Sequence, residues 1–206
     1  VFRRYNFPSR PSPFLRAEDR LFLFGECLTG EEDQGQMIQH INLLRRSDLF
    51  SQLTEDELCV LMPFCTDAVV AEDGMIFNEG REASHVYVLT KGKIALQRHI
   101  RAPHARHSRR TTITLCYPGE TVGWSALMDP FKYTLSAVAW ESSKLVRIDA
   151  LNLRKALAIY PEVGYKVTTA LAEVMSRRLR HTIDSLINQR EISFLSLNEC
   201  NHTDVA

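Results

Sequence analysis

The sequence predicts a mainly β protein, an antiparallel β jelly roll with N-terminal helices and a long C-terminal helix. Three observations predict it. Short strand-type runs follow one another from Val69 to Ile148, ended by turns such as Asp73-Gly74, Glu79-Gly80, Lys91-Gly92 and Pro118-Gly119, and many short strands at such spacing argue a two-sheet antiparallel fold. On either side of them the apolar period becomes helical. Within them, Gly119 to Ala139 reads as strand, glycine turn, one helical turn, loop and strand, the layout of an anion-binding cassette.

Length and composition set the frame. At 206 residues the chain suits one domain with appended helices rather than two full domains. Its 45% apolar and 24% charged residues are those of a globular protein and not of a disordered or membrane chain. Lys plus Arg equals Asp plus Glu at 25 each, so no global field draws it to nucleic acid or an anionic membrane. The cysteines Cys27, Cys59, Cys65, Cys116 and Cys200 show no C-x-x-C spacing, which suits reduced thiols and a cytoplasmic location. No apolar run approaches the roughly 18 residues of a membrane span. The chain opens on Val1, as a processed chain or a fragment does.

Residues 1–36 carry Arg3, Arg4, Arg10, Arg16 and Arg20 among Pro8, Pro11 and Pro13. Proline breaks a helix there, and a disordered leader is expected. From Met37 the apolar residues Ile38, Ile41, Leu43 and Leu44 recur at helical spacing, which opens a region of N-terminal helices over 37–66. Thr54 with Glu57 three residues on forms a capping box, and the helix it starts, Glu55 to about Cys65, places Leu58, Leu61, Met62 and Cys65 on one face. The jelly roll follows over 67–149. Asp149 then caps a helix over Leu151–Ile159, and Pro161 opens the last helix, to about Arg190. Its stripe, Val163, Val167, Ala170, Leu171, Val174, Leu179, Ile183, Leu186 and Ile187, is longer than one barrel face needs, so it is expected both to cover the barrel and to form a homodimer. Residues 191–206 read as a tail without clear period.

In the cassette, Gly123 supplies the φ > 0 turn, and Ser125 and Ala126 open a helix whose free N–H groups carry the positive end of its dipole. Such a start can hold a phosphate or carboxylate. An ordinary crossover whose short helix only packs fits the same residues.

The order of helix, strands with Phe77-Asn78-Glu79-Gly80, then Val86-Tyr87-Val88-Leu89-Thr90-Lys91-Gly92-Lys93-Ile94, then the cassette, then a long helix resembles the cyclic-nucleotide-binding domain of the catabolite-activator and kinase-regulatory superfamily over about residues 41–190. The resemblance implies an eight-stranded jelly roll and a C-terminal helix that reports ligand occupancy in a Crp/Fnr-like regulator or kinase regulatory subunit. It also exposes a departure. Members of the family usually carry Phe-Gly-Glu at the cassette turn and an arginine for the cyclic phosphate; here Val122-Gly123-Trp124 and Tyr133 stand in those places. A phenol forfeits the bidentate, charge-assisted contact that a guanidinium makes. Lys132 remains as a point charge, and Ser125, Thr134 and Ser136 as hydroxyl donors. The candidate ligand-binding residues are therefore Gly123, Trp124, Ser125, Ala126, Lys132, Tyr133, Thr134 and Ser136, and the cassette is expected to hold a small anionic or nucleotide ligand other than cAMP or cGMP, or none.

Elsewhere, Arg98 to Arg110 carries five arginines and three histidines without an acid. It reads as a solvated hairpin tip, with a phosphate- or nucleic-acid-binding patch as the alternative. No His-x-His pair with a following Glu supports a metal-dependent enzyme: His104 and His107 lie in a loop beside Pro103. No nucleophile elbow, Walker loop or His-Glu-x-x-His occurs, so no catalytic residue, resident cofactor or metal is expected. The partner expected besides a second copy is a small-molecule effector. The short stretch after Arg190 leaves no room for a recognition-helix module, and sequence-specific DNA binding by this chain is not expected.

Overall fold

The computed structural model describes residues 31–100 and 109–201, with side chains described over 35–100 and 110–188. Residues 1–30, which hold the arginine-rich leader, the hairpin tip 101–108 with His104 and His107, and 202–206 lie outside the described residues.

Two four-stranded antiparallel sheets form the jelly roll. The strands are β1 (Cys65–Val70), β2 (Met75–Phe77), β3 (His85–Lys91), β4 (Ile94–Ile100), β5 (Arg109–Cys116), β6 (Thr121–Val122), β7 (Ser136–Ala139) and β8 (Ser143–Asp149). One sheet runs β1-β8-β3-β6 and the other β2-β7-β4-β5. Val86, Val88 and Leu89 of β3, Ile94 and Ala95 of β4, and Leu145, Val146 and Ile148 of β8 are all buried, and because neighbours in a strand face opposite ways, these strands are covered on both faces. The two-residue β6 is the strand that leads into the cassette, pairing Tyr87 with Val122.

Helix α1 spans Glu31–Leu44, so the helical region begins ahead of the Met37 boundary. Leu44, Leu49 and Phe50 seal it onto the core. The capping box at α2 (Glu55–Cys59) is present in full: Thr54 accepts from the Glu57 amide, and the Glu57 carboxylate accepts from the Thr54 amide. The predicted continuation to Cys65 is not. Proline cannot extend an α-helix inward, and Pro63 instead sits at the start of a 3-10 turn, Met62–Phe64, that hands over to β1 at Cys65.

Asp149 caps α3 (Ala150–Ile159) by accepting from the Asn152 amide at 2.8 Å. Helix α4 runs from Pro161 to Asn201 without a break, so the predicted end near Arg190 is corrected: the helix continues through most of the expected tail. Its stripe divides in two. Val163, Val167, Ala170, Leu171 and Val174 are buried against the barrel, whereas Leu179, Ile183, Leu186 and Ile187 are exposed.

Lys166 of α4 ties this helix to α2. Its ammonium donates to both Glu57 oxygens at 2.8 Å. Burial alone would raise the Glu57 carboxyl, but the Lys166 and Thr54 hydrogen bonds outweigh it and hold the group below its ordinary 4.5. A depressed folded-state value stabilises the protein above the unfolded value and loses that contribution as pH falls through the folded one. Wild type should therefore exceed Glu57→Gln by about 1 kcal/mol at neutral pH, and thermal melts should show the difference disappearing only below pH 4.5.

Candidate functional site: the cassette and its supports

The cassette turn is built on Gly123, which sits at φ 76° and caps the 3-10 helix Trp124–Leu127. A side chain in place of its hydrogen would be strained. A Cβ there would stand 3.1 Å from the His85 carbonyl oxygen and 3.2 Å and 3.3 Å from the Tyr133 and Phe77 rings, in a conformation L residues rarely adopt. The turn, the helix start and the run to β7 at Ser136 therefore follow the expected layout.

The side chains the sequence grouped together separate. Lys132 and Thr134 face solvent, while Tyr133 between them turns inward and is 4% exposed. Its ring stacks on Phe77 with centroids 3.9 Å apart and planes 13° apart, and Phe77 in turn lies 5.7 Å from Tyr87. The phenol donates to the His85 carbonyl at 2.9 Å and accepts from the His85 amide at 3.1 Å. Burial raises the Tyr133 phenol above its ordinary value and raises Tyr87 further. Burial together with the Arg147 charge pushes His85 down, against the opposing pull of Asp149. The interior beneath the cassette is thus aromatic, neutral and satisfied.

One of the three candidate hydroxyls is committed to a backbone partner. Ser136 Oγ accepts from the Glu79 amide at 2.9 Å, which places the Glu79-Gly80 turn over β7, and Gly80 donates to the Tyr133 carbonyl at 2.8 Å. Ser125 and Ala126 are buried in the packed face of the 3-10 helix. Trp124 is half-buried at its start.

Three side chains that periodicity does not single out hold the cassette from outside. Arg154 of α3 donates to the Ala126 carbonyl at the end of the 3-10 helix and lies over the Phe131 ring at 4.3 Å. Arg178 of α4 donates to the Thr121 carbonyl at 2.7 Å and stands 5.9 Å over the Trp124 ring. Asp48 accepts from the Thr121 amide at 2.9 Å with one oxygen and from Arg177 at 3.0 Å with the other. Thr121 is therefore gripped by the N-terminal region on its amide and by α4 on its carbonyl, while its Oγ1 is buried without a hydrogen-bond partner among the described residues. An arginine on a helix reads as solvated in sequence. Nothing in a period announces a carbonyl partner so distant in the chain.

Cys116 is a buried thiol near Arg178, and burial raises it to about 12 despite that charge. Among the described residues no cluster of three or more His, Cys, Asp or Glu could hold a metal, and no helix is long and apolar enough to cross a membrane.

Comparison with known proteins places this geometry. The family model described as the cyclic nucleotide-binding domain matches residues 68–160. The chain belongs to that family. It is 26% identical over 144 residues to the CRP-like cAMP-activated global transcriptional regulator of Mycobacterium tuberculosis, a match covering 70% of this chain and 60% of that one. The chain thus spans under two thirds of that curated relative's length. The solved N-terminal domain of a transcriptional regulator from Streptomyces coelicolor is 30% identical, with 70% of this chain and 94% of that chain covered and a TM-score of 0.53. A cyclic nucleotide-binding domain from Methylobacillus flagellatus, 19% identical with 78% and 87% coverage and a TM-score of 0.62, shares the fold.

Two outcomes follow from this packing. Tyr133→Phe keeps the ring stack but orphans both backbone groups of His85, and urea unfolding should show a loss of about 1–3 kcal/mol. Arg178→Gln should leave the barrel folded yet speed amide hydrogen exchange at Val122, Gly123 and Trp124, because the strand feeding the cassette loses its outer anchor.

Proposed function

We propose that this chain is a non-catalytic, cytoplasmic regulatory module of the Crp/Fnr-like type whose cassette does not take the phosphate of cAMP or cGMP and whose output passes through α4. One observation carries this. The position where the family usually presents a phosphate arginine holds Tyr133, and its side chain is folded into the barrel on Phe77 with its phenol used up by His85. A cyclic phosphate arriving there meets no guanidinium, and admitting it requires breaking buried hydrogen bonds. The supporting relatives are regulators in their printed names, and the Streptomyces match is itself the N-terminal domain of one.

Output through α4 is supported by the grip of Arg178 and Arg177 on the cassette strand and Asp48. The homodimer is supported by the exposed stripe Leu179, Ile183, Leu186 and Ile187 beyond the barrel, since such apolar area costs about 25 cal/mol per Å² in water. We assign the chain no sequence-specific duplex reading of its own. Any duplex affinity then resides in phosphate contacts and falls steeply with salt.

A second reading, a small anionic effector other than a cyclic nucleotide, is favoured by Trp124, half-buried at the helix start beneath the Arg178 guanidinium. Lys132 offers such an effector a solvent-facing charge.

Calorimetry with cAMP and with cGMP should give no binding at micromolar concentration, and sedimentation should give the mass of two chains, reduced to one by Ile183→Glu with Leu186→Glu. Micromolar cyclic-nucleotide binding contradicts the cassette reading. A monomeric wild type contradicts the helix reading.

A further inference from the structure

A second hollow lies away from the cassette, at the end of the β1-β8-β3 sheet. The turn after β3 and the turn before β8 meet there because Gly92, at φ 96°, lets the backbones touch: a Cβ on it would stand 2.7 Å from the Ser142 carbonyl oxygen. This closeness gathers Lys91, Lys93 and Lys144 around an open depression of about 590 Å³, within the size range of small-molecule sites.

The charges are arranged at a cost. Lys91 and Lys144 are register partners across β3 and β8, beside a bulge between Leu89 and Lys91, and like charges held near each other on a sheet are destabilising. Among the described residues no carboxylate makes an ion pair with any of the three lysines; Glu141 stands on the rim and Asp67 acts on Lys144 only through its field. Two large apolar side chains lie along the hollow. Val69, paired with Lys144 across β1 and β8, is 70% exposed, and Tyr117 carries Lys93 over its ring at 5.6 Å.

We propose that this hollow binds a small organic oligophosphate, its charges against Lys91, Lys93 and Lys144 and its body along Tyr117 and Val69. Three ammonium groups give point-charge phosphate recognition without a fixed fork. A bound polyanion would relieve the cross-strand repulsion, so binding and sheet stability favour each other. The hollow shares no residue with the cassette, and the inference stands whether or not the cassette takes a ligand.

Calorimetry at low salt with tripolyphosphate and with ATP tests it. Both should bind wild type, and ATP should bind more tightly because its ring and sugar meet Tyr117 and Val69. Lys91→Gln with Lys144→Gln should weaken both by roughly thirtyfold, the worth of two unit charges at contact distance in water. Arg98→Gln with Arg110→Gln, on the basic hairpin, should leave both unchanged. The lysine variant alone should melt no lower than wild type, and tripolyphosphate should raise the melting temperature of wild type only. Absence of binding at millimolar tripolyphosphate overturns the proposal. So does a loss that follows the arginine variant instead of the lysine one.

Discussion

The Tyr133 phenol, buried under the cassette and bonded to both backbone groups of His85, is the constraint on which the rest of the site depends. It joins β3 to the cassette loop through one oxygen. Because its ring also lies within van der Waals reach of Gly123 and Phe77, the left-handed turn, the 3-10 helix and the entry to β7 are all positioned by the same side chain. A charged residue in its place would need a counter-ion in a neutral aromatic interior. The barrel therefore keeps the frame of an anion cassette while its inner wall is built for apolar packing.

Around that frame, two arginines hold backbone carbonyls of the cassette. Arg154 satisfies a carbonyl of the 3-10 helix and Arg178 the carbonyl of the strand before it, so both sides of the glycine turn are fastened to helices that follow the barrel. Asp48 adds the N-terminal region to the same point through Thr121 and Arg177. A guanidinium hydrogen bond to a carbonyl is charge-assisted and stronger at low dielectric than in water. Displacement of the Arg178 turn of α4 would remove the partner of the Thr121 carbonyl, while the start of α4 stays held by Lys166 on Glu57 and by its buried stripe.

Much of the fold was legible because the signals were local. The Thr54-Glu57 box and the Asp149 cap formed as read, and the glycine-bearing turns separate the strands where strand period stops. The helix after Thr54 was overrun because Leu58, Leu61, Met62 and Cys65 keep an apolar face across Pro63, and the face outweighed the backbone rule. The end of α4 near Arg190 was missed for the opposite reason: its backbone stays helical to Asn201 after the apolar stripe stops.

The site was less legible. Lys132, Tyr133 and Thr134 are neighbours in sequence and were grouped, but the loop ahead of β7 turns Tyr133 inward and leaves the other two facing water, and no local period marks that difference. Arg154, Arg178 and Asp48 depend on long-range closure, and the cross-strand pairing of Lys91 with Lys144 depends on register. Neither is written in local pattern.

The inward placement of Tyr133 can be observed directly by following its ring carbon, labelled and assigned through Tyr133→Phe, in an NMR pH titration. A phenol buried on Phe77 and bonded to His85 should remain un-ionised through pH 10.0, the ordinary value for tyrosine. Its resonance should also be unmoved by millimolar cAMP. Titration at or below the ordinary value would place the ring outside the barrel, and a shift of that resonance on adding cAMP would show the cassette taking the nucleotide; either contradicts the account.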